Sequence, residues 1–105
     1  MNSEYKDFNE QCYALLKLIP KGKVTTYKEL ARALGTKAWR AVGGAMAKNT
    51  RLRAIPCHRV VRSDGSVGQY AQGPARKSKI LEQEGVVVTD GKVKDLDKFM
   101  HRFAR

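Results

Sequence analysis

The sequence is poor in the residues that cross-link small secreted domains and bind metals. Its 105 residues include only two cysteines, Cys12 and Cys57, and two histidines. Two cysteines form at most one disulfide bridge, and neither belongs to the paired Cys or His spacing of a zinc site. A disulfide framework is therefore excluded, and no metal is expected.

Long apolar runs are missing as well. No stretch reaches the roughly 18 consecutive apolar residues that a transmembrane helix requires. Residues 1–4 lack the charged-then-apolar order of a signal peptide. We therefore expect an intracellular protein without a membrane partner, located in the cytoplasm, or at the nucleoid if the source is prokaryotic. In that compartment both cysteines are expected to be reduced.

Acidic residues are scarce relative to basic ones. The chain has 21 lysines and arginines against 10 aspartates and glutamates, which gives a net charge of +11. This excess favours a polyanionic partner, nucleic acid first, whereas the alternative is a charge that only keeps the surface soluble. The length predicts one domain, residues 1–105, with a single modest core.

Apolar spacing and capping residues predict a mainly α domain with a small β element. Thr26 and Glu29 form a capping box that begins one helix, and Thr36 is placed to cap the next. The predicted elements are helices at about 3–18, 26–34, 37–47 and 75–84 (the last ended by Gly85), a hairpin of 86–88 and 92–93 around Asp90-Gly91, and a final helix with Leu96, Phe99, Met100 and Phe103 on one face.

The helices at 26–34 and 37–47 are joined by a short turn at Gly35, which is the pattern of a helix-turn-helix, winged-helix-like DNA-binding domain. In the helix predicted at 37–47, each interior glycine lowers helix stability by about 1 kcal/mol relative to alanine. Gly43 and Gly44 therefore indicate close approach of a nucleic acid or of another helix. Arg40 is the long cation of this small-residue surface. It either enters a nucleic-acid groove or makes an exposed salt bridge.

Residues 55–60, Ile-Pro-Cys-His-Arg-Val, place the Cys57 thiol between a rigid proline and the His58 imidazole. Cysteine attacks as the thiolate, and a neighbouring imidazole or cation lowers the pKa of the thiol, so this segment favours a nucleophile that is ionised at neutral pH. The alternative is a buried cysteine that only fills the core. That second interpretation applies to Cys12, which lies on an apolar helical stripe.

These motifs together resemble the C-terminal, active domain of the O6-alkylguanine-DNA alkyltransferases, also called methylated-DNA-protein-cysteine methyltransferases. They occur in the family's order and separations over about residues 8–85, and the N-terminal domain of many family members is absent from this sequence. The matching pieces are 56–60 (Pro-Cys-His-Arg-Val), 40–46 (Arg-Ala-Val-Gly-Gly-Ala-Met) with Asn49, the Tyr27 segment, 67–68 with Tyr70, and 84–85 (Glu-Gly).

The resemblance implies a role for each matching residue. Cys57 is the acceptor that takes the alkyl group from the O6 atom of guanine. His58 is the base that draws the thiol proton through a water, and Glu84 orients its imidazole. Tyr27 donates to the departing guanine, and Arg40 is the finger that replaces the flipped nucleotide in the stack.

Further positions follow from the same resemblance. Asn49 is the hinge that ties the third helix to the active-site turn. Val60, by its carbonyl, and Tyr70, with the loop after it, are walls of the guanine pocket. The remaining predicted substrate contacts are Pro56 and Ala71, and the remaining predicted DNA contacts are Lys37, Ala38, Trp39, Ala41, Gly43, Gly44 and Ser63.

The implied function is a monomeric DNA repair protein that acts once on double-stranded DNA containing O6-alkylguanine. A Cys-His-Glu relay with a Tyr donor is sufficient for this chemistry, so no cofactor is expected. One alternative is an alkyltransferase-like damage sensor, although members of that group typically lack the cysteine. Another is a plain helix-turn-helix regulator, which leaves His58, Glu84 and Tyr27 unexplained.

Two positions depart from the family's pattern. The loop after Tyr70 usually reads Ser-Gly-Gly, whereas here residues 71–73 read Ala-Gln-Gly. The Ala71 amide can still hold O6, and the bulkier Gln72 is expected to narrow the range of alkyl groups accepted. Trp39 stands where a small residue is common, and it either stacks at the groove edge or fills the core.

Overall fold

Five helices and two pairs of short strands make up the computed structural model, which describes residues 8–51 and 54–103. The mainly α class with a small β element is therefore confirmed. The helices are α1 (Phe8–Leu16), α2 (Tyr27–Ala33), α3 (Trp39–Ala47), α4 (Pro74–Gln83) and α5 (Leu96–Phe99), and the strands are β1 (Thr25–Thr26), β2 (Val60–Val61), β3 (Val88–Thr89) and β4 (Lys92–Val93).

The short strand β2 lies between two apolar clusters. Successive side chains of a strand point to opposite faces, and accordingly Val60 packs with α1, α2 and α3, whereas Val61 packs with α4 and the C-terminal hairpin. Both valines are fully buried. β2 also pairs in parallel with β1, Thr25 opposite Val60. The turn immediately before β2, which carries Cys57, is therefore held from both sides.

The N-terminal cap of α2 forms only half of the predicted capping box. Thr26 Oγ1 accepts from the Glu29 amide at 3.0 Å, as predicted. The Glu29 carboxylate does not return to Thr26, because it accepts from Arg32 at 2.8 and 2.7 Å and from the Phe103 amide at 2.9 Å. Glu29 is buried, so it takes the partners that fully satisfy its charge.

The third helix begins two residues later than predicted. Thr36 Oγ1 accepts from the Ala38 amide at 3.1 Å, which is a local turn rather than a helix cap. Lys37 and Ala38 therefore belong to the turn, and α3 starts at Trp39. At the first helix, residues 3–7 lie outside the described part. The helix ends at Leu16 rather than Leu18, because the Leu18 and Ile19 amides donate to carbonyls three residues back instead of four.

The C-terminal segment is only partly the predicted helix. The hairpin is confirmed, with β3 antiparallel to β4 around Asp90 (φ 51°) and Gly91 (φ 75°), which suits a two-residue turn. α5 stops at Phe99, so the single helical face through Phe103 is wrong. Beyond α5 the chain extends along Val24, whose amide donates to the Phe99 carbonyl at 2.9 Å and whose carbonyl accepts from the His101 amide at 2.7 Å.

Candidate active site

Cys57 begins a 3-10 turn, Cys57–Arg59, that leads into β2. Asn49, just beyond α3, holds this turn: its Nδ2 donates to the Ile55 carbonyl at 3.0 Å and its Oδ1 accepts from the Arg51 amide at 2.9 Å. The geometry fits the hinge that the resemblance implies for Asn49. Cys57 itself is 5% exposed.

The side of Cys57 that is not packed faces a cavity of about 240 Å³, here called the Cys57 cavity. Tyr70 and Ala71 form part of its wall, where the resemblance places them. Val60 is fully buried, and the role of its carbonyl stays a prediction. The residues that line the cavity are Tyr27, Gly43, Met46, Ala47, Cys57, Gln69, Tyr70 and Ala71.

The predicted substrate contact Pro56, and Gln72, which was expected to narrow the accepted alkyl groups, lie elsewhere. Pro56 and Gln72 line a separate groove of about 590 Å³, the His58 groove, together with His58 and Glu84. Gln72 therefore does not line the Cys57 cavity, whereas its loop neighbours Tyr70 and Ala71 do. Pro56 contributes rigidity to the turn rather than a wall of that cavity.

The imidazole next to Cys57 belongs to a buried polar cluster. His58 Nε2 lies 3.0 Å from Glu84 Oε2. Arg59 binds the same carboxylate with two hydrogen bonds, Nε to Oε1 at 3.0 Å and Nη2 to Oε2 at 2.7 Å, and its Nη1 donates to the Ile19 carbonyl at 2.9 Å. An ionised carboxylate only accepts, so Nε2 carries the proton and leaves Nδ1 of a neutral His58 as an acceptor.

The pKa values in this cluster keep its groups in complementary states. Burial lowers the pKa of His58, and this outweighs the opposing effect of Glu84. Burial alone would raise the pKa of Glu84, but hydrogen bonds from Arg59 and His58 lower it below the ordinary value. His58 is therefore neutral and Glu84 ionised at neutral pH, which is the state in which an imidazole takes up a proton.

The Cys57 thiol is not the ready thiolate that the sequence predicted. Burial raises its pKa, and the hydrogen bond of Asn49 and the charge of Lys77 offset this only in part. The prediction failed because an adjacent histidine in sequence says nothing about desolvation. In the free protein the sulfur keeps its proton, so deprotonation must accompany the reaction. Cys12 is fully buried with a pKa raised by burial to about 11, as suits a core residue.

A family model described as "6-O-methylguanine DNA methyltransferase, DNA binding domain" matches residues 7–86 of the chain. The chain belongs to this family of DNA repair methyltransferases. The buried Cys57 and the adjacent His58–Glu84 pair therefore belong to a member of the O6-methylguanine DNA methyltransferase family. The match also confirms the predicted helix-turn-helix class of DNA-binding domain.

Individual relatives and structures agree with this assignment. The methylated-DNA–protein-cysteine methyltransferase of Saccharolobus islandicus is 50% identical over 72 residues, which cover 69% of this chain and 46% of that protein. The O6-methylguanine-DNA methyltransferase structure from Pyrococcus kodakaraensis has a TM-score of 0.71 and 46% identity, covering 78% of this chain and 48% of that one. The chain spans less than half the length of curated relatives that it matches.

A second similar structure is that of S. pombe Atl1 in complex with damaged DNA containing O6-carboxymethylguanine. It has a TM-score of 0.80 and 33% identity, and the match covers 90% of this chain and 94% of that one. The similarity thus includes both methyltransferases and a protein whose structure was determined on damaged DNA.

Outside the Cys57 cavity, α3 borders a larger groove of about 670 Å³, the α3 groove. The two depressions share Tyr27, Gly43, Ala47 and Gln69, so the groove leads into the cavity. Sequence reasoning missed two of its cations, Lys28 and Arg62, because neither belongs to a motif. The residues that line the groove are Tyr27, Lys28, Trp39, Arg40, Gly43, Ala47, Arg62, Ser63 and Gln69.

The small-residue surface of α3 is open rather than packed. Apart from its own helix and chain neighbours, no heavy atom of the described chain lies within 4 Å of a Cβ built on Gly43 or Gly44. A tight helix–helix contact therefore does not explain these glycines. Arg40 and Ala41 are exposed on the same helix, and Arg40 forms no salt bridge within residues 8–51 and 54–103.

Lys77 is a functional candidate that the sequence did not reveal. Its side chain is fully buried on α4, Nζ donates to the Gln69 carbonyl at 3.0 Å, and Nζ lies 5.8 Å from the centre of the Tyr27 ring. The signal was present in the helical spacing, since Lys77 precedes the buried Leu81 by four residues. Lys77 anchors the loop that forms one wall of the Cys57 cavity.

Replacing Lys77 with methionine is expected to stabilise the fold at neutral pH. Burial lowers the pKa of this lysine from 10.5 to about 8, so the folded protein bears the cost of a buried charge below pH 8. We expect the free energy of unfolding to rise by about 2 kcal/mol at pH 7, after the loss of the Gln69 hydrogen bond is subtracted. This difference becomes small above pH 10.5, where the lysine is neutral in both states. Urea unfolding at several pH values measures this.

The matched control is Lys79→Met, which removes an exposed lysine from the same helix and is expected to change stability by less than about 0.5 kcal/mol. A Lys77→Met protein less stable than wild type at pH 7 would mean that the contacts of the ammonium outweigh its desolvation.

The described residues hold neither a membrane-crossing helix nor a metal-binding cluster. No helix within residues 8–51 and 54–103 has the length and apolarity to cross a bilayer. In the same ranges, no group of three or more His, Cys, Asp or Glu side chains is placed to hold a metal ion.

Proposed function

We propose that this protein is a single-turnover DNA repair alkyltransferase. It extrudes O6-alkylguanine from duplex DNA and transfers the alkyl group irreversibly to its own Cys57. The observation that carries the proposal is the position of Cys57. This residue lines a cavity that continues into the cation-lined α3 groove, and it directly precedes His58 of the buried His58–Glu84 pair. Membership of the methyltransferase family supports the reaction class.

The reaction exchanges one carbon–oxygen bond for one carbon–sulfur bond. As the extruded base enters the Cys57 cavity, the thiol proton passes through a water to Nδ1 of neutral His58, and the imidazolium is held by Glu84. The sulfur attacks the alkyl carbon, and the electron pair of the broken bond stays on O6 of guanine. The product is a thioether, for which these groups provide no hydrolytic route, so each molecule reacts once.

The departing guanine needs its developing negative charge relieved. Burial raises the pKa of Tyr27, so its hydroxyl remains protonated and is available to donate to the base. The backbone amide of Ala71, which also lines the Cys57 cavity, is assigned to hold O6. These two donors and the Cys-His-Glu relay complete the chemistry without a cofactor.

The partner is double-stranded DNA that contains O6-alkylguanine. The open surface of α3 lets a nucleic-acid backbone approach closely, and Lys28, Arg40 and Arg62 supply positive charge along the groove. Arg40 is assigned to enter the base stack. Lys37, Ala38, Ala41, Gly44 and Ser63 are proposed to border the same DNA.

A second candidate function is a damage sensor that binds O6-alkylguanine and recruits other repair proteins. The Atl1 structure favours it, because that complex with damaged DNA matches this chain over nearly the full length of both proteins. Cys57 and its relay favour chemistry instead, since recognition alone requires neither a sulfur nor a base.

Intact-protein mass spectrometry after incubation with an O6-methylguanine duplex separates the two candidates. An alkyltransferase gains about 14 Da, the mass of one CH2 unit, in a 1:1 reaction. The unmethylated duplex of the same sequence is the control. Tight binding of the methylated duplex with no gain in mass would overturn the enzyme proposal in favour of the sensor.

A further inference from the structure

Trp39, the only tryptophan of the chain, lies on a ridge at the protein surface. Its side chain is 50% exposed, so it does not fill the core. On one side of the ridge is the α3 groove. On the other is a hollow of about 550 Å³, here called the Thr36 hollow and lined by Lys28, Ala31, Arg32, Gly35, Thr36, Lys37 and Trp39.

Both depressions beside Trp39 carry cations. The α3 groove has Lys28, Arg40 and Arg62, and the Thr36 hollow has Lys28, Arg32 and Lys37. No acidic side chain of the described residues lines either depression. Arg32 is bound to the buried Glu29, and the others extend the positive charge of the surface. A half-exposed indole among such cations is suited to stack on a nucleobase while the cations bind the neighbouring phosphates.

The α3 helix also leaves room for a ring beside the indole. Residues four apart lie on one face of a helix, and the residue four positions after Trp39 is Gly43. No heavy atom beyond its own helix and chain neighbours lies within 4 Å of the position where a Gly43 side chain would begin. A flat aromatic ligand that lies against Trp39 therefore finds free space above Gly43.

We propose that Trp39 is a second stacking residue next to Arg40. Its indole stacks on a nucleobase that loses a neighbour when the damaged nucleotide leaves the duplex, and the surrounding cations hold the adjacent phosphates. The inference rests on the proposed function, because it requires DNA on this face. It adds to that function a specific means by which this chain stabilises opened DNA.

The test uses the single tryptophan as its own reporter. We expect Trp39 emission to be quenched by an O6-methylguanine duplex, and less by the unmodified duplex. Trp39→Leu, which removes the aromatic ring, is expected to weaken binding of the methylated duplex about tenfold, whereas Trp39→Phe retains most of the affinity. Val87→Ala, at an exposed apolar position outside both depressions, is the matched control and binds as wild type.

Two results would overturn the inference. One is a Trp39→Leu protein that binds the methylated duplex like wild type, with wild-type emission unchanged by DNA. The other is a Trp39→Phe protein as weak as Trp39→Leu, which would show that an aromatic face at this position does not supply the binding energy. If wild type still gains the methyl mass in either case, the proposed function stands without this residue. If it gains no mass and binds no DNA, both proposals fall.

Discussion

Replacing Cys57 with alanine is expected to abolish alkyl transfer while leaving affinity for O6-methylguanine duplex within about threefold of wild type, a change of less than 1 kcal/mol. Transfer depends on the sulfur of Cys57, which lines the cavity, and no other residue that lines it can form the thioether. Binding depends on α3 and its cations, which the substitution does not touch. Intact-protein mass and a duplex titration measure the two effects separately.

The second cysteine offers a matched control. Cys12 is fully buried, lies outside the Cys57 cavity, and has a pKa raised by burial to about 11. Cys12→Ala is therefore expected to keep the mass gain at the wild-type rate, with only the loss of stability that a small core cavity causes. If the Cys57→Ala protein still gained mass and the Cys12→Ala protein did not, the acceptor would be Cys12 and our assignment of Cys57 would be wrong.

Replacing Arg40 with alanine is expected to slow repair of duplex about 100-fold, and far more than it slows reaction with free O6-benzylguanine. Extruding a base costs a few kcal/mol of stacking, and each 1.36 kcal/mol lost from the transition state is a factor of ten in rate. Only the duplex substrate bears that cost. Single-turnover rates with both substrates, followed by protein mass, test the prediction.

Lys48→Ala controls for the loss of one positive charge. Lys48 is exposed at the end of α3 and does not line the α3 groove. A general electrostatic effect would slow both variants similarly, whereas insertion into the stack is specific to Arg40. Equal slowing of duplex and free-base reactions in Arg40→Ala would contradict the finger assignment, since free base requires no extrusion.

Local features of the fold were predictable from sequence because they depend on neighbours in the chain. The Thr26 cap, the Asp90-Gly91 hairpin turn and the Gly85 cap of α4 all follow from residue chemistry within a few positions. The end of the chain was not predictable in this way. Met100 has the spacing of a helical face, but this segment instead forms an isolated parallel bridge with Val24.

The candidate site likewise has parts that could be predicted from the sequence and parts that could not. Family resemblance suggested the pairing of His58 with Glu84, 26 residues apart, and the structure brings them within hydrogen-bonding distance. The helical spacing indicates that Lys77 is buried. The contacts that give Arg59 and Lys77 their roles could not be read from the sequence, because the fold brings each to a backbone carbonyl or a carboxylate. The protonated state of Cys57 was missed for a related reason: desolvation is a property of the packed molecule.

The Val24 pairing and the buried Glu29 have a consequence for where the molecule can be shortened. The family match ends at residue 86, yet Val93, Phe99 and Phe103 contribute to both apolar clusters, and the backbone of Phe103 satisfies Glu29. Truncation after residue 86 would remove these contacts and leave the Glu29 carboxylate without the Phe103 amide. The cooperative folding unit is thus longer than the stretch that the family model matches, because residues after 86 complete both apolar clusters.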